Sequence, residues 1–386
     1  MPKQPDTEAL GLLTSWPNVS AAYTNIGLVN TGTETATVEV RFKTTTGDPL
    51  GADLGSSFTT FVAPNQTVQF TRPLQNKAGV DVATSPVASY LFSVDIPSGS
   101  GVVPYASVSD IGSSDPVFVS PRPSGPLSAT YRVPGVVRAA GANGTFFKSR
   151  FVLYNPSTST AARAVSITYW FRACNSTGAC TDRLHVGPYA ETLRAGETKT
   201  WEDFVADWVT ADPENLQQNF VSSWIDVAPA DANTDPLVVR ADTYNNQVSG
   251  NFGTQVPGFV PAQDGISPAG PNKRLVIPRV VQNATYRTNL SFFLLSGTTA
   301  TAKVTFYTKG GMPLQIDPLY YTLTGDNALF QLNSTNAFWN LIPPADKAAG
   351  VSVIIEAQQE GVIGVYASQV DNVSGDQTLV PGTPLP

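Results

Sequence analysis

One histidine and two cysteines are all that this chain of 386 residues has of the side chains that most often bind transition metals or pair as nucleophile and base. The histidine, His185, stands alone in RLHVGPY. A Ser-His-Asp hydrolase would have to use it, yet the G-x-S-x-G elbow that presents such a serine is missing. A zincin helix needs two histidines and a Walker loop needs Gly-Lys-Ser/Thr, so both are excluded. Charge is equally sparse. Charged residues make up 14% and the net charge is -7, which leaves no basic stripe for a nucleic-acid partner. No apolar run approaches the roughly 20 residues of a membrane span. The N-terminal MPKQPDTEALG lacks a signal-peptide core, so either the protein is cytosolic or a signal has been removed and Met1 added. The threonine-rich composition and sparse lysine favour removal, and hence an extracellular or cell-surface location.

What the chain has instead is repetition. YTNIGLVN (23 to 30) returns as FKSRFVLYN (147 to 155) and YRTNLSFFL (286 to 294), each followed by a Thr/Val-rich alternating run. YASVSDIGSSDPVFV (105 to 119) returns as YASQVDNVSGDQTLV (366 to 380), and more loosely as RADTYNNQVSGNFGTQV (240 to 256). Self-similarity of this kind sets the architecture before any single residue does. Behind an N-terminal extension (1–14) it predicts repeat 1 at 15–122, repeat 2 at 131–260 and repeat 3 at 274–386. Repeats 1 and 3 are near copies; repeat 2 is longer, because it carries the cysteine pair and the 211–219 stretch. SPRPSGPLSAT (120 to 130) and PAQDGISPAGPNK (261 to 273) read as semi-rigid Pro-rich spacers.

Within a repeat the apolar period is two. Val38, Val40 and Phe42 alternate with Glu39, Arg41 and Lys43, as half-buried antiparallel strands do. The fold class expected is all-β: three tandem antiparallel immunoglobulin-like sandwiches, each with one short helix. The helix is clearest at 201 to 209, where Trp201, Phe204, Val205 and Trp208 share one helical face. STNAFWNLI (334 to 342) and PLQNKAG (73 to 79) fill the same slot in repeats 3 and 1.

The TN-[IL]-G-L-V-N opening together with YASVSD and YASQVD resembles a tandem β-sandwich repeat of secreted bacterial surface proteins. That resemblance implies an extracellular, non-catalytic structural or adhesive module and supplies no functional residues. Repeat 2 departs furthest, with RADTYN in place of Tyr-Ala-Ser.

Three sets of side chains are candidates for special roles. Cys174 and Cys180 flank a hairpin tip, NSTGA, where a disulfide fits the geometry; free thiols are the alternative. Asp110 and Asp115 recur as Asp371 and Asp376, and Asp95, Asp226 and Glu356 share a place on another strand. Chemistry confined to one site would not recur in every repeat, so recurrence favours solvated strand positions and turn-capping carboxylates. The competing reading of the closing-hairpin aspartates is calcium. Tyr169, Trp170 and Trp224 are the candidates for stacking on a sugar; adjacent strand residues face opposite ways, so one of Tyr169 and Trp170 points outward. The sequence implies no cofactor and no enzyme. It predicts a subunit of a surface layer or filament, with self-association or other surface proteins as partners; the alternative is an adhesin or glycan-binding array, alone or as part of a larger secreted enzyme.

Overall fold

Alternation at period two produces antiparallel sheets paired within each repeat. The structure is a computed structural model that describes residues 11–12, 22–44, 53–77, 90–110, 116–119, 130–141, 146–155, 162–175, 179–209, 219–231, 237–247, 250–325, 328–333, 337–373 and 377–385. The protein is an all-β chain of tandem sandwiches. In each repeat one sheet, here called the closing sheet, holds the echoed opening strand beside the first strand of the final hairpin. The other is the companion sheet.

The closing sheet of repeat 1 runs Thr67–Thr71, Ala22–Asn30, Val102–Asp110, Pro116–Val119. Repeat 3 matches it strand for strand with Leu329–Leu332, Tyr286–Ser296, Val362–Asp371, Gln377–Pro381. In repeat 2, Phe146–Tyr154 pairs with Val238–Gln247, which pairs with Gly250–Pro257. The companion sheet of repeat 2 runs Tyr131–Pro134, Asn219–Pro229, Arg163–Cys174, Leu184–Leu193. Its equivalent in repeat 3 runs Arg274–Val280, Val351–Ala357, Thr299–Tyr307, Leu319–Thr324, with Thr383–Leu385 added at the edge. Residues 11 and 12, expected in an extension, instead pair with Phe92 and Leu91 at the edge of the repeat 1 companion sheet.

Register places an equivalent pair at the centre of each closing sheet. Asn25 lies opposite Ser107, Arg150 opposite Asp242, and Asn289 opposite Ser368. A neutral pair in repeats 1 and 3 is therefore an ion pair in repeat 2. The entry strands agree as well: YRVPGVV (131 to 137) and LVIPRVV (275 to 281) both turn through a left-handed residue, Gly135 at φ 75° and Arg279 at φ 54°. Glycine takes that conformation freely, whereas an arginine is strained in it. The same register corrects one alignment. Asp226 pairs with Arg132, whose equivalent Val276 pairs with Ile354, so Asp226 does not share a position with Glu356.

The expected helices are present but short. Phe204–Val209 is α-helical, with Phe204 and Val205 buried and the Phe204 ring 5.2 Å from Phe151 and 5.6 Å from Tyr169. Trp201 ends the preceding strand rather than starting the helix, and stacks on Phe151 at 5.6 Å. Ala337–Leu341 is a 3-10 turn that buries Phe338 and Trp339, and Pro73–Asn76 is a single helical turn.

Candidate functional site

Strand alternation sends Tyr169 inward and Trp170 outward. Tyr169 is fully buried, donates its hydroxyl to the Val136 carbonyl at 2.9 Å and stacks on Phe171. Burial pushes its phenol well above the usual tyrosine range. It is a core residue and cannot face a ligand. Trp170 lies on the outer face between cross-strand neighbours His185 and Trp224. Its ring stacks on Trp224 at 5.9 Å and 17° and meets exposed His185 at 4.6 Å. Both faces of the Trp170 ring are thus occupied, and a stacked sugar needs one free.

Trp224, the third candidate, is only 3% exposed because repeat 3 covers it. Its indole N–H donates to Asp226 at 3.2 Å, and the guanidinium groups of Arg132 and Arg183 lie 4.9 and 4.5 Å from its ring centre. Arg132 grips Asp226 through two bonds of 2.7 Å and donates through its remaining Nη1 to the Leu294 carbonyl of repeat 3. A bidentate pair of this kind fixes orientation as well as adding energy.

Phe259 completes the junction. It bridges to Arg132 by backbone bonds and places its ring 4.8 Å from Phe293 and 6.4 Å from Tyr366. The last two are buried outer-face residues of the repeat 3 closing sheet. The apolar core of repeat 2 runs into that face without a break, through Phe259, Val260, Phe293, Leu295 and Tyr366. Residues 261 to 273, expected as a spacer, belong to the same assembly. Pro261–Asp264 forms a helical turn whose Asp264 carboxylate accepts the Val260 N–H, and buried Ile266 bridges Ile363. Proline marks a stiff segment, and here it is stiff because it is packed.

The Arg150–Asp242 pair that sets repeat 2 apart is buried with Arg240 beside it. Arg150 contacts Asp242 at 2.6 and 2.9 Å, while Arg240 stands 3.6 Å away. Burial lowers the Arg240 pKa to about 10, with Asp242 opposing it. Cys174 and Cys180 form a disulfide at the other end of the companion sheet. Of the aspartates considered for calcium, Asp115 and Asp376 lie outside the described residues, as does the side chain of Asp110. Asp371 accepts the Val373 N–H at 2.8 Å, an Asx-turn cap. Among the described residues no three His, Cys, Asp or Glu side chains gather as a metal site.

Sequence reasoning found Trp170 and Trp224 but not Arg132, Phe259, Phe293 or Tyr366. The available signal was FVP after VPG (256 to 261), an aromatic placed where a strand has already ended.

The arrangement defines a class, tandem antiparallel β-sandwiches fused through a shared core. No family model matches the chain, and no curated protein does. Among solved structures, the C-terminal domain of the Streptococcus agalactiae AgI/II polypeptide BspA is 10% identical, with a TM-score of 0.19, over 66% of this chain and all (100%) of its own. The C-terminal domain of the Streptococcus pyogenes antigen I/II-family protein AspA is 10% identical, with a TM-score of 0.16, over 66% of this chain and 99% of its own. A Bacteroides uniformis beta-glucuronidase is 12% identical, with a TM-score of 0.14, and is covered over 27% of its length. At such values these likenesses carry no argument about what the chain does.

Proposed function

We propose that the chain is a non-catalytic structural element outside the cytoplasm, a subunit of a cell-surface layer or filament. The observation that carries this reading is the junction of repeats 2 and 3. A linker that only tethers domains needs no buried aromatic cluster, and domains whose interface is small and polar move against each other. Here Phe259, Trp224, Phe293 and Tyr366 are buried and Arg132 clamps the contact, so the two sandwiches are held as one stiff body. Stiffness over that length is what a surface scaffold uses. The Cys174–Cys180 disulfide supports an oxidising compartment. Membrane-impermeant biotin labelling of intact native cells, with recovery of this chain, tests the reading; labelling only after lysis would refute it. The glycan-binding alternative is not favoured, because Tyr169 is in the core, Trp224 is in the junction and both faces of Trp170 are taken.

A further inference from the structure

The closing strands of the three repeats lie against one another in series. The closing strand of repeat 1, Pro116–Val119, lies against that of repeat 2, Gly250–Pro257, which in turn lies against that of repeat 3, Gln377–Pro381. A head-to-tail contact that does not return to its start leaves one unmatched face at each end.

The unmatched face of repeat 1 follows from register. In repeat 3 the outer positions of the closing sheet are Ser291 opposite Tyr366 and Phe293 opposite Gly364; Ser291, Phe293 and Tyr366 are buried, and the two rings meet Phe259 of repeat 2. In repeat 2 the same positions are Val152 opposite Arg240 and Tyr154 opposite Val238; the first three are at most 4% exposed and Val238 is half-buried. In repeat 1 they are Gly27 opposite Tyr105 and Val29 opposite Val103. Here Val103 is 51% exposed, Tyr105 and Val29 are half-buried, and Gln69 and Thr71 beside them are exposed. Tyr105 holds the place of Tyr366, laid over Gly27, where a Cβ would sit 1.9 Å from its ring.

At the other end, the positions of Arg132, Asp226 and Phe259, which receive repeat 3, are filled in repeat 3 by Val276, Ile354 and Thr383. Val276 and Ile354 are half-buried and Thr383 is exposed. Both end faces are uncharged at these positions and rich in β-branched residues, so they suit each other there, with Arg274, Lys303 and Glu356 flanking the repeat 3 end.

We propose that a second copy of this chain occupies the repeat 1 face, seating its own repeat 3 end there, so that chains grow head to tail. The inference rests on the structural reading above and supplies its partner. Sedimentation velocity of the full chain over a wide concentration range tests it. The wild type gains mass with concentration past the dimer. Val103→Lys and Ile354→Lys, each of which spoils a different end, are monomeric alone, and their mixture forms dimers and nothing larger, because one good end remains on each. Thr383→Lys, at an exposed position, replaces Ile354→Lys should that variant not fold. A wild type that stays monomeric, a single variant that still assembles, or a mixture that stays monomeric overturns the proposal. Surface labelling of native cells remains a separate readout, so a labelled monomer removes this inference and leaves the structural reading standing.

Discussion

Phe259→Ala removes the ring that joins repeats 2 and 3 while leaving the Arg132 clamp in place. The side chain is 2% exposed and contacts two aromatic rings across the junction. Truncating a buried phenylalanine costs about 3–5 kcal/mol, and loss of aromatic pairing accounts for roughly 0.5–1.5 kcal/mol of comparable contacts. The backbone bridge to Arg132 survives, which limits collapse of the site and puts the expected loss near about 4 kcal/mol. Because the ring belongs to both cores, the loss takes the form of uncoupling. Calorimetry of the wild type shows repeats 2 and 3 melting in one transition, and the variant shows two. A variant that keeps one transition and loses less than about 1 kcal/mol, the scale of an exposed substitution, would refute a shared core.

Four further outcomes follow from the same contacts. Arg150→Asn leaves Asp242 buried without its main partner and costs about 3–5 kcal/mol by urea unfolding, whereas Arg150→Asn with Asp242→Ser, the pair type of repeats 1 and 3, recovers most of that loss. Arg279→Gly relieves a left-handed arginine and raises stability by about 1 kcal/mol, read as a higher melting temperature; no change would mean the φ of 54° carries no strain. Tyr169 and Tyr366 are held protonated by burial, so the unfolded chain loses their protons first; stability is fully present below pH 10 and falls as pH rises above it, by up to about 1.4 kcal/mol per unit for each phenol, and Tyr169→Phe flattens the alkaline slope. Replacing Cys174 and Cys180 by serine opens a loop with a sequence separation of 6 and costs about 2 kcal/mol, checked by thermal melting with and without reductant.

The strands were legible because period two and the echoed motifs are local signals that need no knowledge of neighbours. Which residues pair across strands was not, as the misplaced alignment of Asp226 with Glu356 shows. The helix at Phe204–Val209 was legible for the same reason, though Trp201 went to the strand, where Phe151 gave it a stacking partner. Alternation showed that one of Tyr169 and Trp170 faces out without showing which, since both are large aromatics suited to either side. The junction was not legible at all. Phe259 looks like the tail of a strand and residues 261 to 273 look like a spacer, because proline content describes the local chain and says nothing of what packs on it. Ile266 is buried in the repeat 3 core and bridges Ile363, almost a hundred residues away. The value of Trp224 changed likewise: it was a candidate by its place in the sequence, and the repeat that covers it was not foreseeable.

The central claim is that repeats 2 and 3 form one stiff body. Nitroxide labels at Tyr189 in repeat 2 and Tyr320 in repeat 3, both exposed, allow the distance between the sandwiches to be read by double electron–electron resonance. A single narrow distribution that broadens on Phe259→Ala is the predicted result. A broad or multiply peaked distribution in the wild type would contradict it.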